Sequence, residues 1–410
     1  MKKIVDFSKL LLAGDKIITA PEGFYASAVS AGIKKGKSLD LSLLLSKNKT
    51  FVTAVFTKNK MLAAPVKFCK QLLTKNTMFK GILVNSGNAN AATGKEGFED
   101  CVEIIKNLEN QLNVPEDSIL MASTGVIGQR LPKEKFYQSF PLLISQLNYK
   151  DNNFPEAIKT TDSFTKSYGL KINLGNNKYF SIGAAAKGAG MICPNMATML
   201  AFITTDIDCD KKFLRNCLKW VVDKTFNRIT VDGDMSTNDS VYLFANGESN
   251  IFLQKKYEKN LFKMALFYLC QKLSVDIVKD GEGAKKCVKV VVKGAKNKKE
   301  AKIGAFKTAN SMLVKTMIGG EDPNWGRIIA AIGASQINAK ESRIDIFFNE
   351  YQLVKNGNHT SFTIEEKIAN LMKGNNYDII IDLNMGEGSY YVYTCDIGHT
   401  YIDINGGYRS

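Results

Sequence analysis

The feature that most limits what this chain can fold into is the interleaving of two hydrophobic periods along its length. Alternating or β-branched apolar runs at 81–84, 288–292, 344–348, 379–383 and 390–394 carry the two-residue period of strands. Between them, Phe213, Leu214, Cys217, Leu218, Val221 and Val222 recur at three- and four-residue spacing over 211–226. Met264, Ala265, Tyr268 and Leu269 do the same over 261–273, and both stretches predict helices with one face on a core. This mixing, with no repeat period and no low-complexity linker, predicts a layered α/β or α+β architecture. At 410 residues and 45% hydrophobic content, two or three domain-sized cores can be buried. The glycine-rich passage 183–190, followed by Pro194, is the one break near the middle of the chain.

A net charge of +15 raises the question of a nucleic-acid partner. The basic clusters are modest: Lys34, Lys35 and Lys37 surround a glycine turn, and Lys293, Lys296, Lys298 and Lys299 read as a hairpin tip beside the 288–292 strand. Such runs solvate more often than they recognise, and the positive field also suits an acidic small molecule. The eight cysteines (69, 101, 193, 209, 217, 270, 287 and 395) contain no CxxC pair, which fits reduced thiols rather than a disulfide framework or a zinc cluster. Asp6, Ser8 and Lys9 interrupt any amino-terminal apolar stretch, and no segment has the roughly 18 to 20 apolar residues of a membrane span, so the expected location is the cytosol.

Only two histidines are present, so a Ser-His-Asp triad or a His-rich metal site has little to draw on. His359 sits in a polar loop and is expected to be exposed, while His399, after a glycine, is a candidate for lining a site. Gly188-Ala-Gly190 and Gly281-Glu-Gly283 complete neither a dinucleotide fingerprint nor a Walker loop. The acidic run from Asp232 to Asp239 begins like a calcium loop, but Thr237 replaces the required glycine and Leu243 the bidentate glutamate, leaving a tight polar turn.

The segment from Lys187 to Asp206 is more informative. A glycine-rich, Pro-interrupted stretch gives way abruptly to an apolar run at Met199, so Thr198 lies where a strained turn meets a buried strand. Taken alone, a threonine entering a strand is a packing residue. Six further blocks change that reading: Asn85–Asn90 with Thr93-Gly94, Ser123–Gly128, Thr160–Asp162, Phe226–Asp234 with Ser236–Asp239, Lys279–Ala284 and Asp322–Arg327. Together and in this order they resemble the ornithine acetyltransferase (glutamate N-acetyltransferase) family of arginine biosynthesis across nearly the whole chain.

That resemblance implies an α/β sandwich of two intertwined fragments, an α chain 1–197 and a β chain 198–410, separated by autocatalytic cleavage between Ala197 and Thr198. It implies that Thr198 is the nucleophile and that its new α-amine, with an ordinary pKa of about 7.7 to 8, is the local base where histidine is scarce. Thr124 and Gly125 match the oxyanion-hole pair, and Thr161, Lys187, Thr198, Glu282, Asn405 and Ser410 match the substrate-binding positions. The implied reaction is a ping-pong transfer of acetyl from N-acetylornithine to glutamate, with acetyl-CoA as a further donor in bifunctional members. No metal or cofactor is implied, and the assembly would be a cytoplasmic heterotetramer of two α and two β chains. Two other readings stand beside it: an autoprocessed aminopeptidase or amidohydrolase in which water is the acceptor, and a basic RNA-binding protein without catalysis. Cys193 reads as packing, since nothing nearby in sequence would lower its pKa.

Overall fold

The computed structural model describes residues 5–14, 17–150, 153–193 and 199–407. They divide into two compact units, the first comprising Met1–Gly188, Asn195–Asn227 and Met235–Ser274, the second Ala189–Pro194, Arg228–Asp234 and Val275–Ser410.

The first unit is built on an eight-stranded mixed sheet of β1 (Phe24–Val29), β2 (Leu41–Phe56), β3 (Met78–Asn88), β4 (Ile119–Val126), β5 (Lys166–Gly175), β6 (Lys178–Lys187), β7 (Leu200–Thr205) and β8 (Ser240–Ala245). Their order is β4-β3-β2-β8-β7-β6-β5, with β1 added on β2. The β3/β4 and β7/β8 pairs are parallel. β2 has a register break between Leu45 and Thr50: its first half pairs with β1 and β3, and beyond the break Thr50 and Phe51 still pair with β3 while Phe51–Phe56 pair with β8. β7 and β8 are buried at every position, the signature of strands covered on both faces. Helices α1 (Ala64–Lys75), α2 (Gly94–Leu112), α3 (Lys133–Ser145), α4 (Phe154–Ala157) and α5 (Lys211–Lys224) pack against the sheet. The core between these layers includes Phe79, Leu83, Ile104, Phe136, Phe202 and Tyr242.

Helix α6 (Lys256–Lys279) leads into the second unit, whose six strands β9 (Cys287–Ala295), β10 (Asp345–Phe348), β11 (Tyr351–Lys355), β12 (Asn358–His359), β13 (Asn376–Asp382) and β14 (Gly388–Cys395) are ordered β12-β11-β10-β13-β9-β14. Here burial alternates along β10 and β13, so one face is the packed one. Helices α7 (Lys298–Ala309), α8 (Met312–Gly319), α9 (Trp325–Gly333) and α10 (Phe362–Met372) contribute to its core around Val290, Val292, Ile346, Ile379 and Ile381. A last helix, α11 (His399–Gly406), buries none of its residues.

The expected mixed α/β class, the five strands and the two helices are all present, and there is no closed barrel among the described residues. Three expectations change. Residues 183–187 are the buried end of β6, not a break; Gly183 is required because a Cβ there would lie 2.1 Å from the Ile17 carbonyl oxygen. Lys298 and Lys299 open α7, where Asn297 caps the helix by accepting the Glu300 amide at 3.0 Å, so the lysine run is a helix start and not a hairpin tip. His359 is half-buried, its ring stacked on Trp325, while His399 is exposed. All eight cysteines are free thiols, and burial pushes Cys193 up to about 11. Among the described residues no helix is long and apolar enough to cross a membrane, and no group of three or more His, Cys, Asp or Glu side chains could hold a metal ion.

Candidate active site

In the first unit the site is built where β3, β4 and β6 end. β3 and β4 run side by side to Ser86 opposite Thr124 and Gly87 opposite Gly125, and then the register slips at Asn88. Gly125 has φ +131°, and a Cβ there would lie 2.3 Å from the Gly87 carbonyl carbon. Only glycine lets the strand ends approach so closely. Side chains from separate sequence blocks tie this corner together. Ser123 Oγ donates to Asn85 Oδ1 at 2.6 Å, and Asn238 Nδ2 donates to the carbonyl oxygens of Ala89 (2.6 Å) and Ser123 (2.8 Å).

Lys187, the last residue of β6, reaches into the same corner. Its Nζ donates to Thr160 Oγ1 at 2.8 Å and to Thr124 Oγ1 at 3.4 Å, and lies 3.9 Å from Asp162 Oδ2. Asp162 in turn accepts Lys166 Nζ at 2.8 Å, the Gly188 amide at 2.6 Å and the Thr160 amide at 3.0 Å. Burial by itself would raise the Asp162 carboxyl, but the ammonium groups of Lys187 and Lys166 and the Gly188 N–H together hold it below the usual carboxylate range. Two buried ammonium groups thus share one carboxylate, and this trio carries a net positive charge. That arrangement favours an anionic ligand beside it.

The chain that leaves the sheet at Lys187 re-enters it at Leu200, its register partner across the β6/β7 pair. At re-entry the Met199 amide donates to Asp239 Oδ1 at 3.0 Å. Asp239 is completely buried at the head of β8, and burial pushes its carboxyl well above its ordinary value.

In the second unit, Asn405 Nδ2 of α11 donates to Glu282 Oε2 at 2.7 Å, and the Glu282 amide donates to the Ala189 carbonyl at 3.0 Å. Glu282 is buried rather than a surface charge, and its carboxylate packs so closely on Gly190 that a Cβ there would lie 2.3 Å from it. Asp232 accepts the amides of Met191 (2.5 Å), Ile192 (2.9 Å) and Asp234 (3.1 Å), and the Tyr401 hydroxyl lies 3.4 Å from it. The acidic turn therefore binds backbone N–H groups, as its Asx character suggests, and Met191 is held there at φ +56°, rarely adopted by methionine.

Of the residues singled out in the sequence, Thr124, Gly125 and Lys187 come together in the first unit and Glu282 and Asn405 in the second. Thr161 is half-buried between Thr160 and Asp162, and it is Thr160 that meets Lys187. Ala197, Thr198 and Ser410 lie outside the described residues. Thr160, Asp162, Lys166, Asp232 and Asp239 carry structural roles that no motif assigned. The signal for Thr160 and Asp162 was their place in the Thr160–Asp162 block, and for Asp239 its place in the rejected calcium-loop pattern.

The ArgJ family profile matches residues 25–410. The chain belongs to the ArgJ family. It is 43% identical over 397 residues to the arginine biosynthesis bifunctional protein ArgJ of Wolinella succinogenes, covering 96% of this chain and 98% of that protein. The glutamate N-acetyltransferase of Methanocaldococcus jannaschii is 41% identical over 406 residues, with 96% and 98% covered. Among solved structures, the ornithine acetyltransferase of Mycobacterium tuberculosis complexed with ornithine shares 32% identity with a TM-score of 0.41, covering 45% of this chain and 97% of that one.

Proposed function

We propose that this ArgJ-family acyltransferase of arginine biosynthesis is a glutamate N-acetyltransferase that cuts itself between Ala197 and Thr198, giving an α chain 1–197 and a β chain 198–410. It then carries acetyl from N2-acetylornithine to glutamate on Thr198. The observation that carries the reading is the buried Lys187–Asp162–Lys166 cluster beside Thr124 and Gly125, with Lys187 ending the strand that precedes the 194–198 segment. A positively charged, water-poor corner next to a glycine-shaped strand end is suited to an amino-acid carboxylate and to a developing oxyanion.

In the first half-reaction the Thr198 hydroxyl attacks the acetyl carbonyl and passes its proton to its own α-amine. The tetrahedral oxyanion, held by Thr124 and Gly125, collapses as the C–N bond breaks, and the departing nitrogen takes that proton, releasing ornithine. In the second, the glutamate amine attacks the acetyl-threonine ester by the reverse sequence and restores the hydroxyl. Lys187 receives the α-carboxylate; Glu282, with Asn405 and Ser410, receives the ornithine ammonium, and Thr161 is a further substrate-binding position. Acetyl-CoA would enter as a donor to the same hydroxyl, a reading supported by the bifunctional name of the Wolinella relative. Two α and two β chains would form the working assembly.

The test is steady-state kinetics with N2-acetylornithine and glutamate varied together. Parallel double-reciprocal lines and ornithine release that depends on glutamate are expected. Release at an equal rate without glutamate would make the protein a hydrolase instead.

A further inference from the structure

Glutamate carries two carboxylates, and the reaction above gives it one cation. Lys187 takes the α-carboxylate, while the group that receives the ornithine ammonium is itself a carboxylate, Glu282, which repels the side-chain carboxylate of glutamate. A dianionic acceptor calls for a second cation. The loop 31–40 holds one against the strand ends that carry Thr124 and Gly125.

Asp40 fixes this loop. It is completely buried. Its Oδ1 accepts the Ala31 amide at 2.6 Å, and its Oδ2 accepts the amides of Ile33 at 2.6 Å and Lys34 at 2.9 Å. Its carbonyl oxygen accepts the Ser86 amide of β3 at 2.9 Å, so the loop is bonded to the strand one residue before Gly87. Gly87 has φ +95°, and a Cβ there would lie 2.8 Å from Lys34 Cγ and 3.2 Å from the Lys34 nitrogen. Gly87 also faces Gly125 in register, and a Cβ on Gly125 would lie 2.7 Å from the Gly87 Cα. The Lys34 stem therefore packs on the residue directly across the β3/β4 pair from Gly125, an approach that glycine permits.

Lys34 is half-buried, whereas Lys35 and Lys37 of the same run are exposed. Its ammonium donates to the Leu39 carbonyl at 3.0 Å, and no carboxylate pairs with it at salt-bridge distance among the described residues. An ammonium has three donors, so two remain for a ligand. The charged groups that act on it are Asp40, Lys187, Glu156 and Asp162. Each carboxylate among them already has partners: Asp40 its three amides, Asp162 the ammonium groups of Lys166 and Lys187, and Glu156 the Lys159 ammonium at 2.9 Å. Burial lowers the Lys34 ammonium from its ordinary value and the like charge of Lys187 adds to this, effects that an anion beside it offsets.

We propose that Lys34 receives the side-chain carboxylate of glutamate and so sets the preference for an acidic acceptor. This rests on the reading that glutamate is the acceptor. N2-acetylornithine, with a cationic side chain, gains nothing from Lys34, so the residue acts on the second half-reaction alone.

The test is steady-state kinetics of wild type, Lys34→Met and Lys34→Arg, with glutamate and with glutamine, its neutral isostere, as acceptors. Wild type is expected to prefer glutamate. Lys34→Met should raise KM for glutamate about tenfold to a hundredfold, the loss of one charge-assisted hydrogen bond. It should leave KM for N2-acetylornithine and for glutamine near wild type, erasing the preference, and Lys34→Arg should restore much of it. An unchanged KM for glutamate overturns the proposal, as does a wild type that accepts glutamine equally well. Equal rises for glutamate and N2-acetylornithine also overturn it, showing a residue that only holds the loop. If Lys34→Met does not fold, Lys34→Gln, whose amide still donates to a carbonyl, is read in its place by the same criteria. A wild type that transfers no acetyl to glutamate overturns the transferase reading and this proposal with it, an outcome seen before any variant is made.

Discussion

The Lys187 ammonium lies 3.9 Å from Asp162 Oδ2, and both side chains are buried, so the last residue of β6 and the loop before β5 are held by one electrostatic contact. Lys166 completes it at 2.8 Å. Removing the carboxylate takes a shared counter-charge from two buried cations. Asp162→Ala is expected to destabilise the fold by about 3–5 kcal/mol, read by denaturant unfolding.

The same contact sets an acid limit. Asp162 is depressed in the folded state relative to about 3.9 in the unfolded chain. Its contribution is therefore fully present well above that unfolded value and declines as pH falls through it toward the lower folded value. Stability measured from neutral pH downward should show this loss in wild type. Asp162→Asn, unable to ionise, should lack that component.

Lys187→Met leaves Asp162 paired with Lys166 but removes the ammonium facing Thr160 and Thr124. A charge-assisted hydrogen bond is worth about 1.5–3 kcal/mol. The Michaelis constants of both amino-acid substrates should rise about tenfold to a hundredfold, while a thermal melt shows a folded protein.

At the strand ends, Thr124→Ala should lower kcat by about 10²–10³-fold if it contributes an oxyanion donor. Gly125→Ala forces a Cβ to within 2.3 Å of Gly87 in a φ of +131° and is expected to disturb the β3/β4 ends themselves. The two are separated by stability, which the first leaves near wild type and the second lowers.

Much of the architecture was legible because its strands are rich in Val and Ile and its helices are amphipathic: β9, β13 and α5 lie within a few residues of where periodicity puts them. β2 escaped that reading because Lys47, Asn48 and Lys49 interrupt its apolar pattern at the register break between Leu45 and Thr50. The Gly183–Lys187 end of β6 escaped because Gly-Ala-Ala-Ala has no strand propensity, and only the close crossing of Ile17 explains why small residues are needed. For the site, family blocks supplied Thr124, Gly125, Lys187 and Glu282. They placed Asp162, Asp232 and Asp239 inside matching blocks but did not say that these carboxylates accept the amides of Gly188, Met191, Ile192 and Met199, because hydrogen bonds from distant amides to aspartates leave no periodic trace.

Met191, held at φ +56° by Asp232, stores strain just upstream of that segment. A left-handed non-glycine residue costs about 1–2 kcal/mol. Met191→Gly should stabilise uncut Thr198→Ala by up to about 1 kcal/mol and, in the wild-type background, slow the appearance of fragments.

The most direct test of the account is the intact mass of purified wild type beside Thr198→Ala. Two wild-type masses are expected, corresponding to 1–197 and 198–410, and a single full-length mass for the variant. A wild type that remains one uncut polypeptide, or a Thr198→Ala that still divides at the same bond, would contradict it.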